Sequence, residues 1–211
     1  MTTISKLVLF LLLVACVAGA SPVSTFDPAC VTNNSGICSS LLPQIHLTVT
    51  DNGNNDLTFL LTNDLGGLPS SIDAIYFETP LIGNLIIGPA SPGVSFSLNG
   101  TPGNPPSGNN VNFNTAFYAT ADPPPSQAGV NPGEFLTLDT TLANGASTAG
   151  ALDDTRVAVH VIGFQGISET LLFSVYNGVS ESAVPEPASI ALIGLGLIGL
   201  GLLRKRIVRK A

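Results

Sequence analysis

Short apolar runs alternate with turn-forming breaks along this chain, and this pattern limits the folds that it can adopt. Residues 45–49 alternate apolar and polar side chains strictly, and a second β-rich run, LTFLLT, occupies residues 57–62. The break between the two runs contains Asn52-Gly53, a dipeptide typical of tight hairpin turns. We therefore predict a β-hairpin here. Further candidate strands are 72–77, 85–87, 94–98, 111–118, 135–142, 156–163 and 170–176.

The breaks between these runs are rich in glycine and proline. The chain holds 22 glycines and 16 prolines, and segments such as NGTPGNPPSGNN and ADPPPSQAGVNPG have the composition of loops. No repeat of fixed period and no long amphipathic helical pattern accompanies them. Eight or nine short strands with such breaks predict an all-β fold, an antiparallel β-sandwich over residues 21–183.

Charge is distributed unevenly along the chain. Residues 21–186 contain all fourteen acidic residues and a single basic one, Arg156, so their formal net charge is −13. Lys6 and the basic residues of the last eight positions carry the remaining positive charge. A segment with one arginine and no lysine cannot neutralise a phosphate backbone, which excludes nucleic acid as a partner.

The first twenty residues have the pattern of an export signal. Lys6 precedes an apolar stretch from Leu7 to Val17, which is too short to span a bilayer comfortably. Ala18 and Ala20 place small side chains at the −3 and −1 positions of a cut before Ser21. Residues 1–20 are therefore predicted to be a signal peptide. A rival cut stays open, because residues 13–16 (LVAC) resemble a lipobox in which Cys16 would become the lipidated N-terminus.

The last 28 residues combine a Pro-Glu-Pro tripeptide, an apolar run and a basic cluster. Pro185-Glu186-Pro187 ends any preceding strand, and Pro187 suits the first turn of a helix. Residues 188–203 are 16 uncharged residues, about 24 Å of helix, which predicts a short transmembrane helix. Arg204, Lys205 and Arg206 would stay on the cytoplasmic side as a stop-transfer signal. This places the acidic segment of residues 21–183, called the body below, outside the inner membrane.

A glycine pattern inside the apolar run imitates a nucleotide-binding fingerprint. Gly194-x-Gly196-x-x-Gly199 lacks the βαβ unit and the later acidic residue that dinucleotide binding needs, because the chain ends shortly afterwards. Small residues that let helices approach closely in lipid explain the pattern better.

The order Val184-Pro185-Glu186-Pro187, apolar helix and basic cluster resembles the PEP-CTERM sorting signal of Gram-negative bacteria, here over residues 184–211. The resemblance implies exosortase, a membrane-embedded processing enzyme, as a partner that acts in or near Pro185–Pro187. It also implies transient tethering to the inner membrane, then transfer to the outer surface or the exterior, often alongside exopolysaccharide production. A simple C-terminal membrane anchor is the alternative.

Cys30 and Cys38 are the cysteines that remain after a cut at Ala20. Asn33-Asn34-Ser35-Gly36 forms a turn between them, and an exported protein meets an oxidising compartment. We therefore predict a local disulfide. Metal binding by this pair is disfavoured, because it lacks the Cys-x-x-Cys spacing and has no histidine nearby.

Oxygen-rich segments offer a weak calcium candidate. Asp51, Asn55 and Asp56 supply suitable ligand atoms, but the segment does not fit the twelve-residue calcium loop, and a plain hairpin turn is the favoured interpretation. Asp153-Asp154 is a similar weak pair. The sequons at Asn33 and Asn99 are attributed to chance.

The two histidines, His46 and His160, lie in candidate strands. No Gly-x-Ser-x-Gly elbow accompanies them, so structural hydrogen bonding is favoured over catalysis. The absence of tryptophan removes a common sugar platform and disfavours glycoside cleavage. No catalytic residue, metal or cofactor is therefore predicted. The expected function is that of a structural, non-enzymatic surface or matrix protein, with a carbohydrate- or Ca²⁺-binding module as the alternative and a secreted hydrolase as a weaker one.

Overall fold

The alternating apolar runs form ten strands in the computed structural model, which describes residues 23–33, 36–78, 82–98, 103–143, 146, 152, 155–164 and 167–174. The strands are β1 Val23–Cys30, β2 Ile45–Gly53, β3 Asp56–Asn63, β4 Ser71–Phe77, β5 Ile86–Ala90, β6 Phe96–Ser97, β7 Phe117–Ala121, β8 Glu134–Thr141, β9 Arg156–Phe164 and β10 Ile167–Ser174. The helices with bounds inside the described ranges are the four-residue α1 (Cys38–Leu41) and α2 (Pro125–Ala128) and the 3₁₀ helix Gly108–Val111. The all-β class is confirmed.

The strands pair antiparallel throughout, in the order β5-β8-β3-β2-β1-β10-β9-β4-β7-β6. β1 joins the two halves of this order, because it changes its pairing partner at its midpoint. Its residues 23–26 pair with β2, and its residues 27–30 pair with β10. Pro28 lies in the second half, where β1 has a single neighbouring strand, so its missing N–H interrupts less of the ladder. The sequence did not predict this strand.

The inward faces of strands distant in the sheet order meet in one core. On β3, residues 57, 59, 61 and 63 are buried and alternate with partly exposed ones, as expected for a strand with one face in the core. Phe59 of β3 contacts Phe77 of β4 edge to face, with ring centroids 5.1 Å apart. These strands are five positions apart in the order, so the sheet must fold back on itself. Each fully buried phenylalanine contributes on the order of 2–3 kcal/mol.

The predicted hairpin forms between β2 and β3, but its turn lies two residues further along than expected. Asn54 and Asn55 occupy the turn with φ of 55° and 68°. A tight turn of this hand needs positive φ at both central residues, which asparagine tolerates better than other non-glycine residues. Gly53 ends β2 with φ of 76°, at a register shift relative to Asp51. The dipeptide Asn52-Gly53 therefore marks a bulge beside the turn.

The strand predicted over 111–118 is wrong in its first part. Val111 ends the 3₁₀ helix, Asn112 adopts φ of 51°, and β7 begins only at Phe117. Phe113 is buried although it lies in a loop, and the guanidinium of Arg156 lies 5.6 Å from the centre of its ring. A buried apolar loop residue of this kind is indistinguishable from a strand residue in the sequence pattern.

Residues 21–181 form one compact unit. The helices within the described ranges all fall short of the length and apolarity that a bilayer crossing requires.

Candidate functional site

A disulfide joins Cys30, the last residue of β1, to Cys38, the first residue of α1, with their Cα atoms 6.0 Å apart. Cys38 and Leu41 of this helix are fully buried, whereas Cys30 is exposed. The bond therefore holds a one-turn helix, too short to be stable alone, against the core. Closing so small a loop stabilises the fold by about 2–3 kcal/mol.

His46 lies on the outward face of β2 and pairs with an aspartate beyond the end of β3. Its Nε2 is 3.1 Å from Oδ2 of Asp64, and the side chains are 47% and 58% exposed. A pair this exposed contributes at most about 1 kcal/mol. The contact supports a surface role for His46.

His160 on β9 has a separate, less exposed partner. Its Nδ1 is 2.7 Å from Oδ1 of Asp73, and the side chains are 15% and 18% exposed. Asp73 lies at a register shift in β4, between Ile72 and Ala74. The two histidines that the sequence singled out thus lie on different strands, each with its own aspartate.

An aspartate bound to a histidine nitrogen is also how hydrolases orient a general base, so the neighbouring hydroxyls matter. Thr170 of β10 lies directly across from His160 in register. It is 0% exposed, and its Oγ1 has no hydrogen-bond partner. A hydroxyl so enclosed cannot meet a substrate in this structure, so the Asp73–His160 pair lacks an accessible nucleophile at this position.

Two tyrosines stack on neighbouring strands beside this pair. Tyr76 of β4 and Tyr118 of β7 are direct cross-strand partners, with ring centroids 5.6 Å apart and an interplanar angle of 27°. Burial, followed by the charge of Asp73 and the proximity of Tyr118, raises the pKa of Tyr76 to about 12. Tyr76 therefore stays a neutral phenol at physiological pH.

The residues of the weak calcium candidate hold the β2–β3 hairpin. Asp51 accepts a hydrogen bond from the Gly53 N–H (2.8 Å), and Asp56 accepts one from the Thr141 hydroxyl (3.0 Å). The Asn55 carbonyl accepts from the N–H of Leu142. Within the described ranges no three His, Cys, Asp or Glu side chains are grouped to hold a metal ion. Asp153-Asp154 lies outside the described residues.

Arg156 is the central polar residue that the sequence interpretation missed. It donates through Nε and Nη2 to the two carboxylate oxygens of Glu78, and through Nη1 and Nη2 to the carbonyls of Val111 and Asn112. Its guanidinium also lies 5.6 Å from the centre of the Phe113 ring. The one positive charge of the acidic body is thus engaged in fixing a loop. The sequence offered a single signal, a lone arginine in a charge-poor body.

A cavity of about 360 Å³ opens beside the start of β7. Three segments meet there: the connection before β5, the residue after β6 and the first residues of β7. The lining residues are Gly83, Asn84, Leu85, Leu98, Ala116, Phe117 and Tyr118. These segments are distant in sequence, so no local sequence motif predicts this site.

Most of the predicted targeting residues lie outside the described residues. These are Ala18, Ala20 and Ser21 at the signal cut, Val184, Pro185, Glu186 and Pro187 in the sorting motif, the predicted helix over 188–203, and Arg204, Lys205 and Arg206. A family model described as the PEP-CTERM protein-sorting motif matches residues 183–206. The match spans the Pro-Glu-Pro tripeptide, the apolar run and the basic cluster, which confirms the resemblance to the PEP-CTERM sorting signal. No curated protein and no solved structure matches the chain.

Proposed function

We propose that this chain, which carries a PEP-CTERM protein-sorting motif and is thereby an exosortase-sorted surface protein, is a non-catalytic structural component of the cell surface or of the extracellular polysaccharide matrix. The motif at residues 183–206 is the observation that carries the proposal. The body adds two supporting features, its disulfide and its sheet.

The Cys30–Cys38 disulfide suits an oxidising location outside the cytoplasm. The contact of Phe59 with Phe77 supports a sandwich in which two segments of the sheet pack face to face. Such a body presents strand faces and turns to the exterior and is stabilised by a local covalent link.

The proposed route has three steps. The leader directs export and is cut before Ser21, or at Cys16 if the lipobox is used. The helix over 188–203 then holds the chain in the inner membrane, with Arg204–Arg206 on the cytoplasmic side. Exosortase finally cuts in or near Pro185–Pro187 and transfers the body to the outer surface.

The non-catalytic part of the proposal rests on how the histidines are engaged. His46 forms an exposed surface pair, and His160 is bound to Asp73 opposite a fully enclosed threonine. A hydrolase screen of the purified wild-type chain tests this part directly. Turnover that His160→Gln abolishes and His46→Gln leaves intact would establish an enzyme instead.

Mass spectrometry of surface and secreted material tests the sorting part. In the wild type we expect a C-terminus in or beside residues 185–187, without residues 188–203. Replacing Pro185, Glu186 and Pro187 by alanine should leave the full-length chain in the inner membrane, whereas alanine at Glu181, just before the motif, should not. Secreted material that retains residues 188–211, or an intracellular body with an uncut leader, would contradict the proposal.

A carbohydrate-binding module is the second candidate function. The cavity beside Tyr118 is the observation that favours it.

A further inference from the structure

We propose that the cavity beside β7 binds one unit of a neutral, hydroxyl-rich sugar chain, and this inference rests on the proposed function of the chain as a surface or matrix protein. The site would attach the body to a polysaccharide without cleaving it. Its size, its lining and its charge each support this assignment.

The size of the cavity suits a single sugar ring. Its volume of about 360 Å³ falls within the range of ligand pockets. That volume lies near the small end of the range for ligand pockets, as expected for a site that holds one ring and not several. A longer chain would extend from the open mouth, where Ala116 is exposed.

The lining combines an apolar side with an oriented hydrogen-bond donor. Leu85, Leu98 and Phe117 offer apolar surface for the C–H face of a sugar ring. Phe117 also packs against the hydrophobic core, so the position of its ring is fixed before a ligand arrives.

Asn84 supplies the donor. Its backbone carbonyl accepts a hydrogen bond from the Thr140 hydroxyl, and its side-chain Oδ1 accepts one from the Thr141 N–H at 2.9 Å. With the oxygen fixed in this way, the amide nitrogen has no hydrogen-bond partner among the described residues. It is free to donate to a sugar hydroxyl.

The charges of the described residues favour a neutral ligand at this cavity. None of the seven lining residues is charged. Arg156, the only basic residue between positions 21 and 186, is engaged with Glu78. An anionic polysaccharide would thus meet an acidic body with no free cation to bind it. The described lining residues include no carboxylate, so the paired acids that glycoside cleavage needs are not found among them.

Saturation-transfer NMR and calorimetry on the full chain, purified in detergent, test the site. The probes are neutral gluco-, manno- and galacto-hexaoses and an anionic oligogalacturonate. We expect saturable binding of at least one neutral hexaose and none of the anionic probe. Absence of neutral binding, or tighter binding of the anionic probe, would overturn the assignment.

Variants locate the binding. Ala116→Trp fills the exposed mouth and should weaken binding by about tenfold or more, because buried ligand surface is lost. Leu65→Trp, at a position that is 84% exposed and outside the cavity, is the matched control and should bind like the wild type. Asn84→Asp keeps the acceptor for Thr141 but removes the donor, and should also weaken binding. Unchanged binding in Ala116→Trp would place the sugar elsewhere. Correct sorting at residues 185–187 would stand whatever the outcome.

Discussion

Arg156 donates two hydrogen bonds to the carboxylate of Glu78, which lies one residue beyond the end of β4. The same guanidinium binds the carbonyls of Val111 and Asn112 and so fixes the loop that precedes β7. The side chains of Arg156 and Glu78 are 31% and 18% exposed, so this pair is neither a free surface pair nor a fully buried one. It links β4, β9 and a loop whose apolar residues the sequence pattern assigned to a strand.

Replacing Arg156 by methionine should destabilise the fold by about 2–3 kcal/mol, because Glu78 is left as an unpaired, largely buried charge. Glu78→Met should cost a similar amount. The double variant should lose far less than the sum of the two, since no charge then remains unpaired. Urea unfolding followed by near-ultraviolet circular dichroism measures all three, and additive losses would show that the two side chains act independently.

The disulfide gives a second prediction. Alanine at both Cys30 and Cys38 should lower the free energy of unfolding by about 2–3 kcal/mol, because the unfolded chain regains the freedom that the closed loop removes. Reducing the wild type with dithiothreitol should cause the same loss and should leave the double variant unchanged. A wild type that is insensitive to reduction would mean that packing of Leu41 alone holds α1 in place.

The raised pKa of Tyr76 predicts that the stability of the fold decreases at alkaline pH. This pKa is raised from 10.0 to about 12 by burial, then by Asp73 and Tyr118. The folded state therefore favours the neutral phenol, and this stabilisation is complete below pH 10 and is lost as the pH rises from 10 towards 12. The tyrosinate absorbance should show one late-titrating group, and Tyr76→Phe should remove it together with the loss of stability over this range. A late titration that persists in the variant would assign the shift to another tyrosine.

The sequence predicts best what depends on neighbouring residues. Strands β2, β3 and β9 follow from alternation, and the sorting motif is readable because its three parts are contiguous. β1 was not predicted, because Pro28 and the polar residues of this strand are untypical of a strand in the sequence pattern. Its change of pairing partner is visible only in three dimensions. The cavity and the Arg156 contacts join segments far apart in sequence, so local patterns do not contain them. The strand predicted around Phe113 was wrong for a similar reason, since a buried apolar residue in a loop gives the same sequence pattern as a buried strand residue.

Gln44 and Gly67 give the last prediction. The two N–H donors of the buried Gln44 side chain are shared among Asn63 Oδ1, Ser70 Oγ and the Leu68 carbonyl, which lie 2.7–3.0 Å from Nε2. Its Oε1 accepts from the Leu68 N–H at 2.8 Å. It therefore fixes the loop between β3 and β4. A Cβ at Gly67 would lie 2.2 Å from its Cδ, and these hydrogen bonds prevent Gln44 from moving aside cheaply.

We expect both Gly67→Ala and Gln44→Ala to destabilise the fold by about 2–3 kcal/mol, the first through the clash and the second through unpaired polar groups in the loop. In the double variant the clash disappears, so the loss should be close to that of Gln44→Ala alone. Gly103→Ala is the matched control, because a Cβ there meets nothing within 4 Å. Urea unfolding measures the four variants. Additive losses in the double variant would mean that Gly67 is required for its backbone conformation and not for the space that Gln44 occupies.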